Sequence, residues 1–391
     1  MDDPDNIYYD LTITNIKSET TEPVPIYFNE NRQAPMLQNS GDYRLSITRF
    51  QVDTQLLPLF IPEIEMNQSD PNKTIYSITY KYLPPKTDDD DDDIQPIIVH
   101  QPIYWNPQSK NAPIPPAPSQ TGNGLQSTVA NYYYAYSFQW VVLQVFTALQ
   151  TGFATLQSQT DTLNNVSPPI ITWNTDQSVA VISAPSQYFN NHSSYEPNLV
   201  ENPNAIELYF NTPLFSLFSS FPSLNYGPSA TAGMNYRIII DDMTGFNTTL
   251  LPSVPQAGQT QQTFTQVFQE YSTISNWTPV SSICFTSNTL PIVSSQLSAP
   301  LLYNESRQVS LGNNANFFQE ITDLATNDLC YKPNLLYSPS AQYRYISLNS
   351  NVPISNIDVQ VYWKNKLGQF IPLLLASGAT CTIKFLFEKL Q

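Results

Sequence analysis

From Tyr343 the chain runs YRYISLNSNVPISNIDVQVYWKNKLGQFIPLLLASGATCTIKFLFEKLQ, three stretches of alternating apolar and polar residues separated by Asn/Ser/Pro and Gly turns. Ile357, Val359, Val361 and Trp363 fall on one side of an extended strand, and Asp358, Gln360 and Tyr362 on the other. After the Lys366-Leu367-Gly368 turn come Ile371–Leu375 and then Cys381, Ile383, Phe385 and Phe387, again at a period of two. The alternation excludes a helical ending. An amphipathic strand in this position is expected to be tied into a sheet, because untethered termini fray.

Earlier segments repeat the pattern. Ile7–Ile16, Tyr43–Val52 and Thr74–Leu83 alternate and are rich in Tyr, Ile, Thr and Val, residues that suit a half-buried pleated surface. A compositional break follows, with Pro84-Pro85 leading into six aspartates and then the proline-rich PIPPAPSQTGNG at Pro113–Gly124. The stretch from Thr128 to Ser158 predicts a helix, since Val142, Val145, Phe146, Leu149, Phe153 and Leu156 recur at three and four without an intervening proline. Ile170–Asn174 and Val179–Ser183 flank Thr175–Ser178 as a hairpin, Ala205–Asn211 and Tyr236–Asp241 read as strands, and Leu214–Phe218 as a helical turn. Beyond the linker at Leu251–Gln262, strand patterns return at Phe264–Ile274, Ser282–Thr286, Tyr343–Leu348, Ile357–Trp363 and Thr380–Phe387.

Three strands before the break and five after it make eight, the count of a single jelly roll, an antiparallel β-sandwich. The expected architecture is mainly β. Residues 1–85 and 262–391 form a jelly-roll base domain, split by an inserted α+β outer domain at 86–261 that carries the helix near 128–158. A continuous domain followed by a separate C-terminal sandwich is the alternative. Glycine is scarce (11) and proline plentiful (33), which fits strands joined by stiff loops.

Only 12% of residues are charged, and Asn, Gln, Ser and Thr supply most of the polarity. Neutral polar groups cost far less to bury than ions, so such a surface suits permanent contact with partner subunits. The net charge of −16 argues against direct nucleic-acid binding, which needs a basic face. Cys284, Cys330 and Cys381 are odd in number and widely spaced, which fits reduced, buried thiols in a protein that is not secreted. The acidic N-terminus lacks a signal-peptide core, and no apolar run reaches bilayer length.

Chemistry has little to work with. His100 and His192 sit in polar contexts without Cys or His neighbours at ligand spacing, and GxSxG, HExxH, phosphate-loop and Rossmann patterns are missing. No enzymatic activity, catalytic residue or cofactor is expected. Asp88, Asp89, Asp90, Asp91, Asp92 and Asp93 offer carboxylates to Ca²⁺, the one metal candidate, but without EF-hand spacing or RTX glycines. Six adjacent like charges repel, and the run reads as a solvated loop.

Several phrases together resemble the minor capsid (penton) proteins of virophages and of Polinton or polinton-like viruses. They are YRLSITRFQVDTQLLPLF at Tyr43–Phe60, YYYAYSFQWVVLQVFTALQTGF at Tyr132–Phe153, WTPVSSICFTSNTLPI at Trp277–Ile292 and YRYISLNSNVPISNIDVQVYWKNKLGQFIPL at Tyr343–Leu373, closing on TIKFLF. The resemblance implies a structural virion subunit made in the host cytoplasm. It would form homopentamers at icosahedral vertices against a double-jelly-roll major capsid protein and other minor capsid proteins. The acidic and proline-rich stretches depart from the family pattern and fall in the outer domain. A carbohydrate-binding or adhesive viral β-sandwich, of fibre or lectin type, is the competing reading; it requires Trp105, Trp173 or Trp277 on an exposed patch. An enzyme on a β scaffold requires two acids facing each other in a cleft.

Overall fold

The computed structural model describes residues 5–16, 22–85, 94–118, 126–189, 204–228, 230–240, 264–292 and 351–390, with shorter pieces at 301–304, 307–310, 319–325, 334–338 and 344–349. The chain divides into two compact units, Met1–Leu59 with Thr278–Gln391, and Phe60–Trp277.

Along the chain, the first unit opens with β1 (Asn6–Thr14), β2 (Tyr27–Asn31) and β3 (Tyr43–Asp53). The second unit follows with β4 (Lys73–Tyr82), β5 (Ile97–Tyr104), α1 (Phe138–Gln157), β6 (Ile170–Asn174), β7 (Val179–Pro185) and β8 (Glu207–Phe210). It continues through α2 (Thr212–Leu217), β9 (Ser223–Asn225), β10 (Tyr236–Ile238), β11 (Phe264–Phe268) and α3 (Ile274–Trp277). The chain then returns to the first unit with β12 (Val280–Ser287), β13 (Leu301–Asn304), β14 (Arg307–Ser310), β15 (Gln319–Ala325) and β16 (Asn334–Tyr337). The last elements are β17 (Asn356–Asn365), β18 (Gln369–Pro372) and β19 (Thr380–Lys389).

Two facing sheets make the first unit. One has the order β1-β19-β3-β16, with the short strand Ile346–Ser347 also on β3. The other runs β14-β13-β18-β17-β12-β15, with β2 on β17. The alternation seen in the sequence dictates what lies between them. Cys381, Ile383, Phe385 and Phe387 of β19 and Leu45, Phe50 and Val52 of β3 are buried from one side, Ile283, Phe285, Val359 and Trp363 from the other. Phe50 meets Phe285 edge-on at 4.7 Å between centroids, in the geometry that aromatic quadrupoles favour.

β19 is central. Its register runs Thr14↔Thr380 to Asn6↔Glu388 on one side and Val52↔Cys381 to Tyr43↔Lys389 on the other, so strands from both ends of the chain lie side by side.

The second unit holds the sheet β9-β10-β8-β4-β5 and the smaller sheet β11-β7-β6. Helix α1 packs on β4, β5 and β6 through Val141, Val142, Val145, Leu149, Phe153 and Leu156, all buried. Gly152 allows the approach, because a Cβ there would stand 3.0 Å from the Tyr80 ring and 3.1 Å from Gln101 Cβ. The helix begins ten residues later than its apolar pattern predicts. Asn131–Tyr133 instead form a 3-10 turn whose tyrosines are anchored, Tyr132 donating to Asn72 Oδ1 at 2.7 Å and Tyr133 to the Pro71 carbonyl at 3.0 Å.

The division corrects the expected boundaries. The units part at Leu59/Phe60 and Trp277/Thr278, not at 85/86 and 261/262. Thr74–Leu83 pairs with β5 and β8, and Phe264–Phe268 pairs with β7, so neither joins the strands of the chain's two ends. Alternation reports a half-buried strand but not which sheet receives it. The sequence concealed several strands, β5, β9 and β13–β16 among them; β2, Tyr-Phe-Asn-Glu-Asn, is too short and polar to carry a period.

The core sets an alkaline limit. Burial pushes the Cys381 thiol from 9.0 up to about 12 and the Tyr133 hydroxyl from 10.0 up to about 12. The folded chain therefore keeps these protons after an unfolded chain has lost them. Their contribution is intact below pH 9 and is lost as pH rises toward 12, at about 1.4 kcal/mol per pH unit per group. Urea midpoints measured from pH 7 to 11 are expected to stay level to about 9 and then fall.

Candidate assembly surfaces

The outer face of the β1-β19-β3-β16 sheet is laid out in cross-strand rows. In one row Asp10 of β1 meets Lys384 Nζ of β19 and Arg49 Nη2 of β3, each at 3.3 Å, so the single charge of β1 is balanced twice. The next row is neutral, Thr12, Thr382, Gln51 and Leu336. At the other end Arg44 donates to Glu388 Oε2 at 2.8 Å, and its guanidinium lies 3.7 Å over the Tyr345 ring. The Tyr345 hydroxyl first, and Arg44 second, hold the Glu388 carboxyl below the usual glutamate range. Exposed pairs of this kind add little stability each.

Where β1 and β2 meet, the sheets are laced by side chains. Tyr9 donates its hydroxyl to Glu30 and packs edge-on against Phe28 at 6.3 Å, and Arg32 lies over its ring at 5.7 Å while pairing with Glu30 at 3.4 Å. Burial first, then the Glu30 hydrogen bond, push the Tyr9 hydroxyl well above its ordinary value.

A buried carboxylate organises the second sheet. Asp358, 2% exposed, accepts from the Ser287 hydroxyl (2.6 Å), the Asn288 N–H (2.9 Å), the Thr289 N–H (2.8 Å) and the Thr289 hydroxyl (2.7 Å). Its own N–H donates to Thr289 Oγ1 at 3.1 Å. One side chain thus ties FTSNTLPI to SNIDVQVYW, two phrases that carried the family resemblance.

In the second unit, Glu207 of β8 receives Lys81 Nζ at 3.0 Å, Arg237 Nη1 at 3.3 Å and the Tyr209 hydroxyl at 2.6 Å. Arg237 is 1% exposed, and Glu207 is an anion that meets its buried charge. Glu207→Gln is expected to cost about 3 kcal/mol in urea unfolding, because a buried cation loses one anionic partner. Lys81→Gln removes the more exposed partner and is expected to cost under about 1 kcal/mol.

The tryptophans named for a lectin-like reading lie mainly inside the second unit. Trp105 and Trp277 are buried and donate to the Tyr132 and Leu217 carbonyls at 2.8 and 2.6 Å. Trp173 packs on Phe138 and Trp277, with centroids 5.2 and 5.5 Å away. Two of the three tryptophans that a lectin-like reading requires on an exposed patch are therefore internal, and Trp173 is half-buried. His100 Nδ1 lies 3.1 Å from Thr79 Oγ1 in the second unit. No cluster of three His, Cys, Asp or Glu side chains stands together among the described residues, and no described helix is long and apolar enough to cross a membrane. Asp88–Asp93, His192 and Cys330 lie outside the described residues. Sequence reasoning missed Asp358 and Glu207, which stand in alternating strands where a polar residue reads as solvent-facing.

The family model described as Sputnik minor capsid protein V18/19 matches residues 7–389, nearly the whole chain. The chain belongs to the Sputnik V18/19 minor capsid family. Two relatives come from Sputnik virophage. Structural protein V19 is 29% identical over 184 residues, 47% of this chain and 81% of its own. The uncharacterized protein V18 is 29% identical over 152 residues, 39% of this chain and 84% of its own. A chain in the 3.5 Å cryo-EM structure of the Sputnik virophage superposes with a TM-score of 0.75 at 25% identity, covering 99% of this chain and 98% of that one. The crystal structure of the selenomethionine-labelled mavirus penton protein has a TM-score of 0.59 at 14% identity, over 98% and 99% of the two chains, a likeness of fold. This V18/19 family member is a virophage-type minor capsid protein, a structural component of the virion.

Proposed function

We propose that the subunit forms a homopentamer at the icosahedral vertices and closes the shell there against a double-jelly-roll major capsid protein. In this reading the first unit is a single jelly roll and Phe60–Trp277 is a domain inserted between its third and fourth strands. The observation that carries it is strand order. Counting β1, β2, β3, β12, β15, β16, β17 and β19 as first to eighth, one sheet runs first, eighth, third, sixth and the other second, seventh, fourth, fifth. Such an interleaved order is that of two Greek keys rolled into a double-sheet barrel. Family membership and the fold shared with a penton protein support the vertex.

The role needs no catalytic group, metal or cofactor. Native mass spectrometry of the purified protein is expected to give five copies of the 44.1 kDa chain, and EDTA is expected to leave them together. A chain that stays monomeric at high concentration, or particles without it on the fivefold axes, would overturn the reading.

A further inference from the structure

We propose that the free edge of β1 receives the β16 flank of a second copy, continuing the β1-β19-β3-β16 sheet across the subunit boundary. The inference rests on the ring reading above and supplies its contact surface. β1 pairs with β19 over nine residues without a register shift, and among the described residues no strand pairs with its other edge.

Proteins guard such edges with prolines, lysines, bulges or brevity. The other edge strands of the described sheets carry those guards. β5 contains Pro102 and shifts register against β4, and β15 lies opposite a bulge at Phe285/Thr286. β9 has three residues, β14 and β16 four, and β2, β6 and β11 five. β1 is long, regular and free of proline and lysine, and its one charge, Asp10, is balanced within its own sheet. Tyr9, tied to Glu30 and flanked by Phe28, holds the strand in place before any partner arrives.

Three features specify a second copy as the occupant. The first is strand direction. β1, β19, β3 and β16 alternate along the sheet, so β16 of a neighbour related by rotation about an axis running along the strands lies antiparallel to β1 and extends the alternation. Two β1 edges would instead need a twofold axis, which closes a pair and not a ring. The second is side-chain chemistry. Tyr8 is 59% exposed on β1 and Leu336 60% exposed on β16, on the same outer face, where a seam would place an aromatic ring beside an aliphatic side chain. The third is charge. Each flank carries an exposed arginine already matched to an acid, Arg32 with Glu30 at one end and Arg344 with Asp323 at the other. Contact there adds no unpaired charge to a chain of net −16.

Sedimentation of the full chain tests the seam. The Tyr8→Lys/Thr12→Lys double variant and, on the other flank, Leu336→Lys are each expected to weaken self-association about tenfold or more with thermal midpoints unchanged, because an edge lysine opposes strand pairing. Hydrogen exchange on the wild type serves as a second measurement that needs no variant. The peptide spanning β1 is expected to exchange more slowly in the assembled form than after dilution to monomer. Unchanged association of both variants, or equal exchange of β1 in ring and monomer, overturns the seam while leaving the ring intact. A wild type that never leaves the monomer overturns both.

Discussion

Removing Thr380–Gln391 is expected to abolish soluble folding of the first unit. The segment supplies β19, which sits between β1 and β3, so its loss leaves two strands without their shared partner. Cys381, Ile383, Phe385, Leu386 and Phe387 are all buried, and burial of side chains of this size stabilises by about 1.5–3 kcal/mol each. The sum is comparable to the whole margin of a typical domain, about 5–15 kcal/mol. The truncated protein should appear in the insoluble fraction and lack a cooperative unfolding transition. A soluble truncation with an unchanged midpoint would mean that β19 is peripheral.

Asp358→Ala is expected to destabilise the first unit by about 3–5 kcal/mol, because several buried donors lose their acceptor together. The Ser287, Asn288 and Thr289 donors would lose their shared acceptor inside the protein, and each stranded buried donor costs about 1–3 kcal/mol. Asp358→Asn keeps the shape and one carbonyl oxygen, so its loss should be smaller, about 2 kcal/mol. Urea unfolding of the two variants measures the order. Equal stability of wild type and Asp358→Ala would show that water satisfies the loop.

The sequence exposed the strands whose faces differ in polarity and little else. Ile357, Val359, Val361 and Trp363 are buried as their spacing requires, and Ile383, Phe385 and Phe387 likewise. Asp358 breaks the rule by being buried on the face assigned to solvent, because the Ser287–Thr289 turn folds over it. Its partners lie about seventy residues upstream, and nothing local marks them. A serine, an asparagine and a threonine in succession after a strand are turn formers in any chain. The stretch from Thr74 to Leu83 illustrates a second limit. Tyr76, Ile78, Tyr80 and Tyr82 are buried as alternation demands, yet Ser77 and Thr79 are buried too, since β4 lies inside its sheet and its polar side is also covered.

The adjacency of β1 and β19 imposes an order of events during synthesis. Thr14 and Thr380 face each other across 366 residues of chain, so the central strand of the first unit leaves the ribosome long after β1 and β3. Phe60–Trp277 is contiguous and complete long before then, and a contiguous segment forms its contacts without closing so long a loop. β1 and β3 meanwhile wait with facing edges open, kept apart from other copies only by the time translation takes to deliver β19. Subunits of this design become competent to associate only when β19 has arrived, which delays assembly until both halves of the first unit have been made.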